Sequence, residues 1–284
     1  MEITFNKVCY KNKTTQKYIL KDITLNIKDG INVFIGPSGS GQTTVLKLIE
    51  TMIFPSSGTI KINDNISENK NKSLDKLREE IGIVYQNPED SFFTNTVEEE
   101  ITFALNNYNH QKKEEKTKEV LKLVGLNNTY LKRNPFELSK SEQTLLSLAV
   151  SLAFDPKILI LDNPFQNLDV STKENLIKLL KTLKYHHKKT IIIADNDTDS
   201  LLKLADKVFL LSKGKLIKEG DKKEILEDIE LLKKYDINIP KTVNFTHLVK
   251  EKTNINIGIR EEINDLIKDV YRHVKWNVYR KILQ

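Results

Sequence analysis

The sequence predicts an α/β fold: a parallel sheet, an antiparallel β layer ahead of it, a helical subdomain within it and a helical extension behind it. Three observations predict this. INVFI at 31–35 reads as a fully buried run, of the kind that strands covered on both faces require. KILILD, TIIIA, KVFLL and KLIKE recur later with helical segments between them, the alternation that feeds a parallel sheet. Residues from about 96 to 150 carry helical period only, so a block of helices interrupts the strands.

Taken in order, ITF near the start and ILKDITLNI at 19–27 alternate as half-buried strands and supply the first layer. After INVFI comes a glycine-rich turn, and from Gln42 the run TTVLKLIETMI has apolar residues at helical spacing. PSSGTIKIND breaks that helix and returns to a strand, and IGIVYQ is a further strand ending at Gln86. The helical block from 96 to 150 keeps charged runs such as HQKKEEKTKE on its outside. KILILD, a helix over 170–184, TIIIA and a short helix then complete the alternation, and a helix over 222–235 follows Gly220. We therefore expect a main domain over 1–235, with its helical subdomain near 87–150, and an extension over 236–284.

A chain of 284 residues is long enough to bury a substantial core. Its 45 basic against 39 acidic residues, a formal charge of +6, favour acidic partners or a membrane surface only weakly, and a solvated surface explains the balance equally well. Cys9 is the sole cysteine, which excludes a disulfide framework. The polar start MEITFNKVCY has no apolar signal core, so a cytosolic location is expected. No apolar run approaches the roughly eighteen residues that span a bilayer, so any membrane association would be peripheral.

Directly after INVFI stands GPSGSGQTT, residues 36–44, with a helix where it ends. Glycines between a strand and a helix let successive backbone N–H groups point inward, and with the helix N-terminus they form a cradle for phosphate oxygens. The segment fits the phosphate-loop pattern G-x-x-x-x-G-K-[ST] with Gly36 and Gly41 at its glycines and Thr43 as the hydroxyl for magnesium. Ser38, Gly39, Ser40 and Thr44 fill the remaining cradle positions. Gln42 replaces the lysine; an amide can hydrogen-bond to phosphate but brings no charge, so nucleotide binding should weaken and turnover weaken more.

From this point the chain resembles the ATP-binding-cassette family over at least residues 1–225. The segment IVYQNPEDSFFTNTVEEEITFA at 83–104 is similar to the ATPases of energy-coupling-factor transporters, which take up vitamins and metal ions. The resemblance implies ATP and Mg²⁺ as ligands, with Gln86 reaching toward magnesium and the attacking water. It also implies a groove, after Gln86, for a transmembrane coupling subunit. PFELSKSEQTLLSLAVSLA stands where the family has its LSGGQ signature, which implies that Ser139 and Lys140 contact nucleotide held by a second subunit. Only Leu138 and Ser139 match cleanly; Lys140 and Ser141 replace glycines, and their bulk should hinder a close approach. The ammonium of Lys140 would offset this in part by neutralising phosphate charge.

ILILDNPFQNLD carries the family's Walker B strand, which implies that Asp162 holds magnesium and that Leu168 and Asp169 belong to the D-loop. Asn163 takes the place of the catalytic glutamate, and an amide cannot accept the proton of the attacking water, a loss of roughly 10²–10⁴ in rate. Alignment on Ala205–Asp206 puts Asn196 where the family has its switch histidine, and none of the five histidines lies nearby. The adenine-stacking aromatic normally stands at Asn12, with Tyr10 or Tyr18 as substitutes.

The expectation is a nucleotide-binding subunit at the cytoplasmic face of the membrane, hydrolytically impaired at its own site. Its partners would be a paralogous ATPase subunit, a transmembrane coupling subunit and a substrate-binding membrane subunit, with no role for nucleic acid. A pseudo-ATPase scaffold in the same complex is the alternative. In the extension, Ile263, Leu266, Ile267, Val270, Val274 and Val278 fall along one helical side, suited either to packing against the core or a paired subunit, as a dimer contact, or to lipid head groups.

Overall fold

The computed structural model describes residues 1–63, 65–66, 73–107 and 112–282; the side chains of residues 65, 66, 73, 75, 107 and 274–282 lie outside the description. Two sheets stack on each other. The first is antiparallel, in the order β2 (Tyr18–Lys28), β1 (Glu2–Lys11), β4 (Ser57–Ile62), β5 (Asn65–Ile66). The second has the order β10 (Lys215–Asp221), β9 (Lys207–Ser212), β3 (Ile31–Ile35), β8 (Thr190–Ala194), β7 (Ile158–Asp162), β6 (Ile81–Val84). Its five strands from β9 to β6 are parallel and β10 is an antiparallel edge.

Why INVFI is buried throughout follows from this stacking. Strand side chains alternate between faces, and both faces of β3 are covered. Ile31, Val33 and Ile35 enter one core with Leu159, Leu161, Ile191 and Ile193. Phe34 enters the other with Ile158, Ile160, Ile192 and the first-layer residues Phe5, Ile23 and Ile60. Asn32, the one polar residue of β3, is buried and donates its amide to the Lys28 carbonyl at 2.8 Å, so the central strand carries no orphaned donor there.

The helices are α1 (Gln42–Ile49), α2 (Ser73–Glu79), α3 (Val97–Asn107), α4 (Lys113–Leu123), α5 (Lys140–Ala153), α6 (Val170–His187), α7 (Thr198–Leu204), α8 (Lys222–Leu226), α9 (Ile229–Lys234), α10 (Lys241–Thr253) and α11 (Ile263–Ile282). Helices α3, α4 and α5 pack on one another, and α5 lies along β6. His110 and Gln111 of the expected charged run lie outside the described residues; Lys112 to Glu119 are on or at the start of α4.

Two expectations differ from the structure. The strand IGIVYQ ends at Val84 rather than Gln86, because pairing with β7 stops at Val84 opposite Leu161 and the chain turns into a short 3-10 segment at Pro88–Ser91. The helix expected over 222–235 is two helices, since Asp228 accepts the Leu231 N–H and caps a new start. The apolar side of α11 is also divided. Leu266 is buried, whereas Ile263 and Ile267 are exposed and line an apolar groove with Phe245 and Tyr271; the side chains of Val274 and Val278 lie outside the described residues. Among the described residues no helix is long and apolar enough to cross a membrane.

Candidate functional site

Parallel strands end on one edge of the sheet, and the loops that leave that edge are natural ligand sites. Here the register brings Phe34, Ala194 and Asp162 level with one another, so the residues that follow β3, β8 and β7 meet at a single edge. Those residues are the glycine loop, Asn196 and Asn163. The loop's shape is fixed by close approach: a Cβ on Gly36 would lie 2.2 Å from the Leu211 carbonyl oxygen. Gly41 has φ +108°, and a Cβ there would strike Leu20 at 2.5 Å.

Helix α1 begins at Gln42 with no side-chain cap. The Val45 N–H reaches the Gly41 carbonyl at 3.0 Å, which leaves the first-turn N–H groups of Gln42, Thr43 and Thr44 for an anion. Ser38 and Gly39 are exposed at the loop's tip. Ser40 is buried beside Gly36; its hydroxyl has no hydrogen-bond partner and its N–H goes to the Pro37 carbonyl at 3.0 Å. It builds the turn.

The amide of Gln42 folds back into the protein. Its Nε2 donates to the Phe34 carbonyl at 3.2 Å and to Asn196 Oδ1 at 3.3 Å, and the same Oδ1 accepts the Gly36 N–H at 3.1 Å. Asp162 is buried, and desolvation holds its carboxyl above the usual range against the hydrogen bonds from Thr43 and Asn163 and the charge of Lys47. Asn163 Nδ2 donates to Asp162 Oδ1 at 3.0 Å; Asn163 itself is left-handed with φ +50°, its N–H fixed on the Ala194 carbonyl at 2.7 Å. At this position the amide therefore presents a donor to the acid, and no base.

Gln86 is exposed and donates to Gln166 Oε1 at 3.0 Å, which ties the segment after β6 to the loop after β7. Asp169 caps α6, accepting the Thr172 N–H at 3.0 Å. Ser139 caps α5 in a reciprocal box: the Glu142 N–H reaches Ser139 Oγ at 3.3 Å and the Ser139 N–H reaches Glu142 Oε2 at 2.8 Å. Lys140 pairs with Glu89, and the Ser141 hydroxyl donates to the Asn167 carbonyl at 2.7 Å. Neither Ser139 nor Lys140 bonds to residues 36–44 among the described residues. At the tip of the first layer Asn12 accepts the N–H groups of Thr14 and Thr15, so it forms a turn, while the Tyr18 ring lies under the Lys11 ammonium at 4.6 Å.

Two groups escaped the sequence reading. Glu50, at the end of α1, is buried with one unpartnered carboxylate oxygen; desolvation first, then repulsion from Asp162, pushes its carboxyl up to about 7. Asp195 is buried and accepts the N–H groups of Phe165 at 3.0 Å and Asp197 at 2.8 Å, joining the loops after β7 and β8. Both sit next to motif residues rather than in them. An acid among the apolar residues of LKLIETMI was the available signal for Glu50.

This arrangement can receive a polyphosphate on the α1 N-terminus and a divalent ion beside Thr43 and Asp162. No cluster of three or more His, Cys, Asp or Glu side chains able to hold a metal exists among the described residues. Magnesium takes one or two protein ligands and completes its shell with phosphate and water, so the hydroxyl of Thr43 and the carboxylate of Asp162 are a donor set that fits it.

Residues 20–166 match the profile of the ABC transporter family. The chain is 36% identical over 238 residues to the energy-coupling factor transporter ATP-binding protein EcfA2 of Ligilactobacillus salivarius, covering 82% of each protein. Against EcfA2 of Spiroplasma kunkelii it is 35% identical over 286 residues, covering 96% of this chain and 93% of that one. CbiO1 of Clostridium perfringens, described as part of the ABC transporter complex CbiONQ, superposes with a TM-score of 0.71 at 27% identity, covering 86% of this chain and 98% of that one. With the sheet, the phosphate loop and these relatives in agreement, the chain belongs to the ABC transporter family, among the ATP-binding proteins of energy-coupling factor transporters.

Proposed function

We propose that this chain binds Mg-ATP on the α1 N-terminus and works as the weakly hydrolytic half of a transporter's ATPase pair. The observation that carries the reading is a set of three amides. Gln42, Asn163 and Asn196 occupy the places where cation, base and switch are expected, and each is engaged with a protein group. In this reading Thr43 and Asp162 hold magnesium, which supplies charge neutralisation of the phosphates when bound. The N–H groups of Gln42, Thr43 and Thr44 orient the phosphate chain, and Gln86 faces the attacking water. Loss of the general base and of the cationic lysine slows turnover, although their effects are not additive.

The partners would be a paralogous ATPase subunit, a transmembrane coupling subunit and a substrate-binding membrane subunit. The site of action would be the cytoplasmic face of the membrane. The relatives' names support this assignment. A second reading, a scaffold subunit that never turns over ATP, rests on the same three amides.

The test is Mg-ATP binding and turnover by the chain, alone and with a paralogous subunit, beside the triple variant Gln42→Lys, Asn163→Glu, Asn196→His. Binding with turnover only when partnered or restored supports the proposal. Binding without turnover in any pairing supports the scaffold. Turnover by the unaltered chain alone at the triple variant's rate overturns both.

A further inference from the structure

Helix α7 starts two residues after Asn196, and the C-terminal extension grips it at both ends. At its start, Asp199 accepts the backbone N–H of Lys241 at 2.7 Å and faces the Lys241 ammonium at 3.4 Å. At its end, Lys203 pairs with Glu262 at 2.9 Å while also holding Glu174 of α6. Lys241 opens α10, and Glu262 immediately precedes α11. A third pair, Lys222 with Glu261 at 2.6 Å, fixes the same loop of the extension to α8.

The segment that leads into α7 comes from the candidate site. Asp197 caps the helix, accepting the Ser200 N–H at 3.2 Å, and pairs with Lys173 of α6. Asn196, the next residue back, carries the two hydrogen bonds to Gly36 and Gln42. A helix of seven residues is a rigid rod of about 10 Å, so grips at its first turn and at its far end are both felt by the residues that lead into it. We propose that the extension is a brace for the switch position: Lys241 and Glu262 are positioning residues that hold Asn196 against the phosphate loop through α7. Lys241 and Glu262, the members of these pairs on the extension, are solvent-exposed, and ion pairs of that kind are individually weak and yield to salt or to a competing partner. A contact made elsewhere on the extension can therefore release α7 without unfolding the sheet.

The experiment uses the full chain with Asp199→Ala, Glu262→Gln, both together, and Glu262→Asp as the conservative variant. Amide hydrogen exchange is followed over 196–204, with β3 as the internal standard, alongside Mg-ATP affinity and the thermal midpoint. The expected result is at least tenfold faster exchange in α7 of the double variant, unchanged exchange in β3, and a three- to tenfold loss of Mg-ATP affinity. Glu262→Asp should restore most of both. Unchanged exchange in α7, or acceleration spread equally through β3, overturns the brace. Faster exchange in α7 with unaltered affinity overturns its hold on Asn196. The affinity arm rests on the proposal that this site binds Mg-ATP; if the unaltered chain binds none, that proposal fails and the exchange arm alone decides whether the extension braces α7.

Discussion

Asn196 Oδ1 accepts both the Gly36 N–H at 3.1 Å and the Gln42 amide at 3.3 Å, so the loop after β8, the glycine loop and the start of α1 are joined by one oxygen. Both contacts need only an acceptor. Asn196→Asp should therefore keep them and change the unfolding free energy by less than about 1 kcal/mol. It also places a negative charge at the phosphate cradle, where like charges about 4 Å apart repel by roughly 4 kcal/mol at an effective dielectric of 20. Mg-ATP affinity, measured by titration calorimetry, should fall by more than about tenfold, and the loss should shrink as salt is raised.

Glu50 makes stability fall with rising pH. Burial and the Asp162 charge raise its carboxyl from 4.5 in the unfolded chain to about 7 in the folded one, so the folded state holds the extra proton between those values. Its contribution is fully present below pH 4.5 and is lost as pH rises through 7. The size is about 3 kcal/mol at most, from 1.36 kcal/mol per unit. Glu50→Gln should flatten this part of the stability profile and raise stability above pH 7, read from urea unfolding at pH 5, 6, 7 and 8. An unaltered slope would show that the carboxyl is solvated.

How far the sequence disclosed this site depends on the kind of contact. INVFI, ILILD and TIIIA were legible because strands covered on both faces are apolar at nearly every position, and the loops at their ends follow from the topology. That Gln42, Asn163 and Asn196 stand in the segments leaving these strands was legible too, from the order of the motifs. What those amides do was not. The Gln42 to Asn196 contact joins residues 154 apart in the chain and depends on β8 lying next to β3. The break at Asp228 was missed because helical period runs through it, and only the cap reveals the new start. Glu50 was missed because one acid in a helix reads as its solvent face, whereas α1 packs on β7 and β8 and Glu50 at its end is buried.

The core beneath the phosphate loop should be sensitive to volume. Phe34 and Phe209 stack with centroids 4.8 Å apart and rings inclined by 18°, both fully buried, and the Phe34 carbonyl receives Gln42. Phe34→Ala removes the ring contact and leaves a cavity, a loss of about 3–5 kcal/mol. Phe209→Leu should cost less, about 1–2 kcal/mol, because most of the volume remains. Denaturant midpoints of the two variants test the order.

Ser139 is committed to its own helix. The reciprocal box with Glu142 supplies the α5 cap, and Glu142 is held below the usual carboxylate range first by the Tyr130 hydroxyl, which donates at 2.7 Å. Ser139→Ala should cost about 1 kcal/mol, whereas Ser139→Asp retains an acceptor and should cost less. The midpoint of thermal unfolding distinguishes them. Equal losses would mean that Glu142 alone secures the helix start.

Lys140 has two possible uses, and a charge swap separates them. In the free chain its ammonium pairs with Glu89, in the 3-10 segment that follows Gln86, and both groups are partly exposed. Breaking such a pair costs less than about 1 kcal/mol, so Lys140→Ala should scarcely shift the unfolding midpoint. If the pair serves only to hold the Gln86 segment, the double exchange Lys140→Glu with Glu89→Lys restores that tie and should restore turnover of the partnered complex. If the ammonium instead neutralises phosphate held by the paired subunit, the exchange moves the positive charge onto the other segment and leaves an acid at the α5 N-terminus. Turnover should then fall at least tenfold below that of Lys140→Ala, because a carboxylate repels the phosphate that an alanine merely fails to attract. The expected outcome is this second one, since position 140 is the first residue of α5 and its side chain lies beside the helix N-terminus, where an anion is best received.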